Sequence, residues 1–306
     1  MKRTLFALLL ALAMIVCFAA FTASAEETTE HVHCVCGGCA VGVQDHVCED
    51  ITWQPLPEGT TDFGTLTSGN YYLTGDVTVT AASRIPTGSD IKLCLNGHNI
   101  TSTNTRVFGY LTQGIFTITD CSGEQDADGK WTWDGTVTAG EGSGKYGGVM
   151  YTYYQTTINI YGGNFTSKST NAINGAVFII ANDGCPDMNG DGKVENVDKN
   201  YPENASTLNL YNGNVYNSEG VVATGSGGVI GSFHFVNINI HGGYVHGGRT
   251  QGGSGANISC SGNLTITGGE IYDAQTLKKG TSGYSGGLTV LVDALGNPIV
   301  TPITEE

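Results

Sequence analysis

A ten-residue pattern recurs in this 306-residue chain, and it limits the possible folds more than any other feature. INIYGGNFTS (158–167), LNLYNGNVYN (208–217), INIHGGYVHG (238–247) and LTITGGEIYD (264–273) superpose without gaps. LCLNGHNITS (93–102) fits the same frame, and FTITDCSG (116–123) fits its first half. Each unit alternates apolar and polar residues, turns at glycine, then offers one more apolar residue: Ile100, Phe165, Val215, Val245, Ile271. A period of two is the signature of a strand. The second apolar residue of each unit gives an anchor series, Leu95, Ile118, Ile160, Leu210, Ile240 and Ile266, spaced by 23, 42, 50, 30 and 26 residues.

One such unit cannot bury its apolar face alone, whereas stacked layers of about 20–30 residues can. Glycine and β-branched residues dominate and no 3.6 period appears, which argues against helices. A propeller blade needs a longer repeat of about 40 residues. The expected fold is all-β: a parallel β-helix, or β-solenoid, of about six to eight coils over residues 53–306. A weaker echo places a small-residue pair before an apolar one: Gly147-Gly148-Val149, Gly175-Ala176-Val177, Gly227-Gly228-Val229 and Gly286-Gly287-Leu288. The two long spacings imply insertions, at 124–135 (EQDADGKWTWDG), expected as a protruding hairpin or loop, and at 183–203. Asn159, Asn209 and Asn239, one before the anchor, are expected to form a stabilising ladder.

This pattern resembles that of the right-handed parallel β-helix superfamily of pectate-lyase-like secreted bacterial proteins, over roughly residues 70–300. The resemblance lies in the repeat and includes no specific enzyme motif. It implies a right-handed coil. Catalysis of that type needs acidic calcium ligands on one face and a basic residue to abstract a proton. Hydrolysis needs carboxylates within about 5–10 Å. The repeat strands here carry mainly Asn, Thr, Gly and Tyr, and the basic cluster on a repeat is Arg249 with His246 and His241. No catalytic residue is assigned from sequence. A polysaccharide lyase or hydrolase remains the alternative to a binding protein, as does a non-catalytic structural or adhesion protein.

Residues 1–25 (MKRTLFALLLALAMIVCFAAFTASA) have a basic start at Lys2 and Arg3, an apolar stretch and an Ala23-Ser24-Ala25 site. They are expected to be a secretory signal peptide, with the mature protein secreted or on the extracellular surface and without a membrane span. Only three arginines lie beyond the leader (Arg84, Arg106, Arg249), and the net charge is −15. That composition argues against nucleic-acid binding.

Residues 187–198 read DMNGDGKVENVD. Asp187, Asn189 and Asp191 take positions 1, 3 and 5 of a twelve-residue loop, with Gly192 at the turn. Lys193 offers its carbonyl, Glu195 stands at position 9 and Asp198 at 12. Hard oxygen ligands at these spacings suit Ca²⁺. The segment resembles the calcium loop of dockerin and EF-hand modules. It departs from dockerins in having one loop rather than two, so a structural calcium is expected rather than a dockerin partner.

Residues 26–52 form a Cys/His-rich N-terminal module or cap. His33, Cys34, Cys36, Cys39, His46 and Cys48 suit either a tetrahedral Zn²⁺ or, in an exported chain, disulfides. Cys94, Cys121, Cys185 and Cys260 are scattered. In the aligned repeats the residue six after the anchor is Thr101, Thr166, Tyr216, His246, Tyr272. The residue four after it is Asn99, Asn164, Asn214, Tyr244, Glu270. Amides beside aromatic rings suit a sugar, so Tyr216, Tyr244, His246 and Tyr272 are the expected surface for a polysaccharide or glycan partner.

Overall fold

The computed structural model describes residues 30–36, 48–187, 190–251, 255–277, 284–285, 288–292 and 298–302. The chain divides into two compact units, Met1–His31 and Val32–Glu306. The expected leader lies outside the described residues, while residues 32–36 and 48–52 fall in the second unit with the sheets. No helix among the described residues is long and apolar enough to cross a membrane.

The fold is all-β, with long runs of parallel strands. One sheet carries His31–Cys34, Asp50–Pro55, Gly69–Tyr72, Asp90–Cys94, Phe108–Thr119, Met150–Ile160, Thr207–Leu210, Asn237–Ile240 and Asn263–Ile266, in that spatial order. A second carries Val77–Val79, Ile100–Ser102, Thr136–Ala139, Asn164–Ser167, Asn214–Asn217, Tyr244–His246 and Glu270–Tyr272. From Gly69 onward the chain passes back and forth between the two sheets, and two further parallel strands of the first sheet, Phe178–Ala181 and Ile230–Phe233, continue from the Met150 end of Met150–Ile160. Leu288–Val292 then pairs antiparallel with Glu270–Tyr272.

Register explains the repeat. Ile118, Ile160, Leu210, Ile240 and Ile266 pair in succession across the first sheet. Ile100, Val137, Phe165, Val215, Val245 and Ile271 do the same across the second. Both rows point inward, and their members through Val245 are fully buried apart from the terminal positions. Each fully buried aliphatic or aromatic side chain contributes about 1.5–3 kcal/mol.

One unit of the alignment is corrected. Leu93, not Leu95, pairs with Ile118. The 93–102 segment therefore has two more residues in its corner than the later circuits. A shift of two along a strand leaves every side chain on its face, so the alternation does not reveal it. The 124–135 insertion contains an antiparallel hairpin, with Gln125 opposite Trp131.

The glycine echo is a stacked turn. Gly147, Gly175, Gly227 and Gly255 all have φ between 50° and 66°. Gly147 N–H donates to Gly175 O (2.8 Å), Gly175 to Gly227, and Gly227 to Gly255 (2.9 Å). The fourth member is thus Gly255, whereas Gly286 and Gly287 lie outside the described residues. The asparagine ladder forms as expected. Asn239 Nδ2 donates to Asn209 Oδ1 and Asn209 Nδ2 to Asn159 Oδ1, each at 2.9 Å, and Asn159 Nδ2 donates to Thr117 Oγ1 at 3.3 Å.

Candidate functional site

The most chemically distinctive surface lies where two long strands of the first sheet fall out of step. Tyr151 pairs with Gly109, the next pair is Thr152 with Leu111, and the next is Tyr154 with Thr112. Tyr110 and Tyr153 are therefore the residues left over at each irregularity. A bulge frees the extra residue from the ladder and re-aims its side chain. Tyr110 takes φ 59°, a left-handed conformation that costs a bulky residue roughly 1–2 kcal/mol. Tyr110 is 38% exposed and Tyr153 36%, and their rings meet edge to face with centroids 5.7 Å apart.

Two of the chain's few arginines converge on these rings. The guanidinium carbons of Arg84 and Arg106 lie 4.9 Å and 5.3 Å from the Tyr110 centroid. Arg106 also lies 4.8 Å from the Tyr151 centroid, and its Nε donates to the Tyr146 carbonyl at 2.7 Å. Below them, the Tyr151 hydroxyl donates to Asp183, whose other carboxylate oxygen lies 2.9 Å from His234 Nε2. Burial, then the bond to Asp183, raises the Tyr151 phenol well above its ordinary value, so it remains a protonated donor. His234, like Tyr110, is a non-glycine residue at positive φ, 64°. Gly184 N–H donates to the Tyr153 carbonyl at 2.9 Å, which ties the start of the 183–203 excursion to this surface.

The arrangement sets two guanidiniums against one carboxylate in a chain of net charge −15. Stacking on an aromatic face fixes a guanidinium's plane, and its remaining N–H groups suit a carboxylate or sulfate. Exposed tyrosine rings suit the C–H faces of a sugar. Sequence reading missed this cluster because its members are spread from residue 84 to residue 234. It instead singled out Arg249, which is paired: its Nη2 lies 3.0 Å from both Asp273 carboxylate oxygens.

The expected sugar-contact residues are arranged differently. Tyr216, His246 and Tyr272 lie in register and stack, with centroids 5.2 Å and 4.6 Å apart and planes within 6°. Tyr161, Tyr211 and His241 form a second stack at 4.5 Å and 4.9 Å. Rings stacked in this way cover one another's faces, and the inner ring offers a sugar its edge only. Tyr244 corrects the expectation outright. It is only 8% exposed, its hydroxyl accepts from Trp131 N–H at 3.0 Å, and Lys130 Nζ lies 5.6 Å from its ring centroid. The 124–135 hairpin covers it.

In the 187–198 loop, Asp187 accepts from Gly190 N–H (2.8 Å) and Gly192 N–H (2.6 Å). Asp191 accepts from Lys193 N–H, and the buried Asp198 accepts from Glu195 N–H at 2.8 Å, capping a one-turn helix at Asn196–Lys199. Among the described residues, no three of the loop's carboxylates bring oxygens within 4.8 Å of one another. Asn189 lies outside the described residues.

The Cys/His residues form two groups that could hold a metal ion. His33 comes together with Cys94 and Cys121, their ligand atoms all within 4.8 Å. Cys34, Cys36 and Cys48 form the other group, with Cys36 Sγ 3.2 Å from Cys34 and 3.5 Å from Cys48. Cys48 is disulfide-bonded, so in this state it offers no thiolate. Cys39 and His46 lie outside the described residues. The expected donor set is thus split, and Cys94 and Cys121, which looked scattered, are brought in. Their spacing of 27 residues, close to one circuit, was the available signal.

Comparison with known proteins finds no matching family model, no matching curated protein and no matching solved structure.

Proposed function

We propose that this chain is an exported, pectate-lyase-like parallel β-solenoid that binds acidic extracellular carbohydrate on its arginine–tyrosine surface. The observation that carries the reading is the pair of guanidiniums over Tyr110 and Tyr151, beside the outward-turned Tyr153. Two guanidiniums gathered on one tyrosine ring repel each other. A uronate carboxylate or sugar sulfate between them relieves that repulsion, and the tyrosine rings take the sugar's apolar face. A Ca²⁺ in the 187–198 loop orders the excursion that begins at Asp183, and so holds that carboxylate against Tyr151 and His234.

Titration with a polyuronate, a sulfated polysaccharide and a neutral glucan tests this. Binding of the acidic polymers that weakens with salt, and falls at least about tenfold in the Arg84→Ala, Arg106→Ala double variant, supports the reading. Equal binding of the neutral glucan, or acidic binding untouched by the double variant, overturns it. The second reading, a lyase or hydrolase, is favoured by the Tyr151–Asp183–His234 chain of phenol, carboxylate and imidazole, which has the makings of an acid–base relay. Unsaturated or reducing-end products from the bound polymer, lost in His234→Ala, would select it. Absence of binding to all three polymers leaves the non-catalytic structural protein.

A further inference from the structure

We propose that His33, Cys94 and Cys121 form a zinc site that fastens the N-terminal segment across two successive circuits. This goes beyond the carbohydrate reading and rests on different residues. Cys94 ends the strand Asp90–Cys94, and Cys121 follows Phe108–Thr119, the strand paired with it. Both thiols therefore emerge at the same corner of the fold, one circuit apart. His33 reaches that corner from the N-terminal strand, 61 residues before Cys94.

The geometry fits an ion of this kind. Zinc bonds of about 2.3 Å to sulfur and 2.0–2.1 Å to nitrogen in a tetrahedron put the donors about 3.5–3.8 Å apart. All three donor atoms already lie within 4.8 Å of one another. The imidazole is also set for the role. His33 Nδ1 lies 2.7 Å from the Cys34 carbonyl, which can only accept, so Nδ1 carries the proton and Nε2 keeps its lone pair. Trp53 stacks on the ring at 4.7 Å and donates from Nε1 to the His33 carbonyl at 3.0 Å, locking the ring's position. Two sulfurs and an imidazole are a soft set that selects zinc over calcium or magnesium. Binding converts two thiols to thiolates, and two protons leave as Zn²⁺ arrives.

Metal analysis of the purified full chain after gel filtration tests the proposal. About one zinc per chain is expected, lost in Cys94→Ser and in Cys121→Ser but retained in Cys185→Ser and in the Cys34→Ser, Cys36→Ser double variant. Cys94 is fully buried, so its serine variant is not sufficient alone. Cobalt(II) added to the unsubstituted, metal-stripped chain should give the strong visible bands of a tetrahedral thiolate site. The Cys34→Ser, Cys36→Ser variant should keep them. Two results overturn the proposal. One is a chain with no zinc whose peptide map links Cys94 to Cys121 as a disulfide. The other is a cobalt spectrum that follows Cys34 and Cys36 instead.

Discussion

The guanidinium of Arg106 lies 4.8 Å from the ring centroid of Tyr151, while its Nε is held by the Tyr146 carbonyl. That contact fixes a cation at the edge of an aromatic patch, and a flat cation is what the contact requires. Arg106→Ala should lower affinity for a polyuronate about tenfold, from a lost interaction of about 1–2 kcal/mol. Arg106→Lys should not restore it, because an ammonium can neither stack nor fork. Calorimetric titration checks both. Full recovery by lysine would mean that net charge alone matters.

Asn209 sits in the middle of the amide ladder, donating to Asn159 and accepting from Asn239. Asn209→Ala removes both bonds and leaves partners on either side. A loss of about 1–3 kcal/mol is expected in urea unfolding. Asn263→Ala, at the exposed end of a neighbouring row, should cost less.

The stacked histidines make stability depend on pH. Burial holds the His241 and His246 imidazoles below their ordinary value of 6.5, and for His246 Lys130 and Arg249 act in the same direction, with Asp273 opposing them. The unfolded chain therefore binds protons that the folded chain refuses. Stability from these groups is present above about pH 6.5 and is lost as pH falls through the lower, folded values. Melting temperature measured from pH 7.5 to 5 should show that decline. His246→Phe keeps a ring between Tyr216 and Tyr272 and should flatten the slope.

Gly175 combines φ 50° with a close approach: an added Cβ would meet the Phe178 carbonyl. The stacked turn passes its hydrogen bonds from circuit to circuit, so the chain cannot relax there alone. Gly175→Ala should destabilise by about 2 kcal/mol or more, whereas Gly220→Ala, with open space around it, should show only the backbone cost of about 1 kcal/mol. Thermal unfolding of both variants provides the comparison.

For the 187–198 loop, calcium should raise the melting temperature of the full chain, and Asp187→Ala should abolish that rise while leaving the metal-free melting temperature nearly unchanged. Asp198→Ala should lower the melting temperature even with chelator present, because the buried Asp198 caps the short helix through Glu195 N–H. Equal calcium shifts in wild type and Asp187→Ala would remove calcium from the loop.

The sequence by itself determined the strands, their inward rows and the asparagine ladder. Alternation is a local property, written in residues two apart, and it survives without knowledge of what packs against what. Three things only the tertiary structure decided. The true partner of Ile118 is Leu93, because a two-residue shift preserves both faces and leaves no trace in the pattern. The aromatic column became a ring stack, and Tyr244 went under a hairpin. In-register strands bring successive rings to stacking distance, and the insertion folds back over the side. The arginine–tyrosine surface and the His33–Cys94–Cys121 corner are assembled from residues far apart in the chain. Bulges turned Tyr110 and Tyr153 outward, and stacking circuits brought the cysteines to one corner. Neither a bulge nor the length of a corner is encoded in the two-residue period, which is why the faces were legible in the sequence and the sites were not.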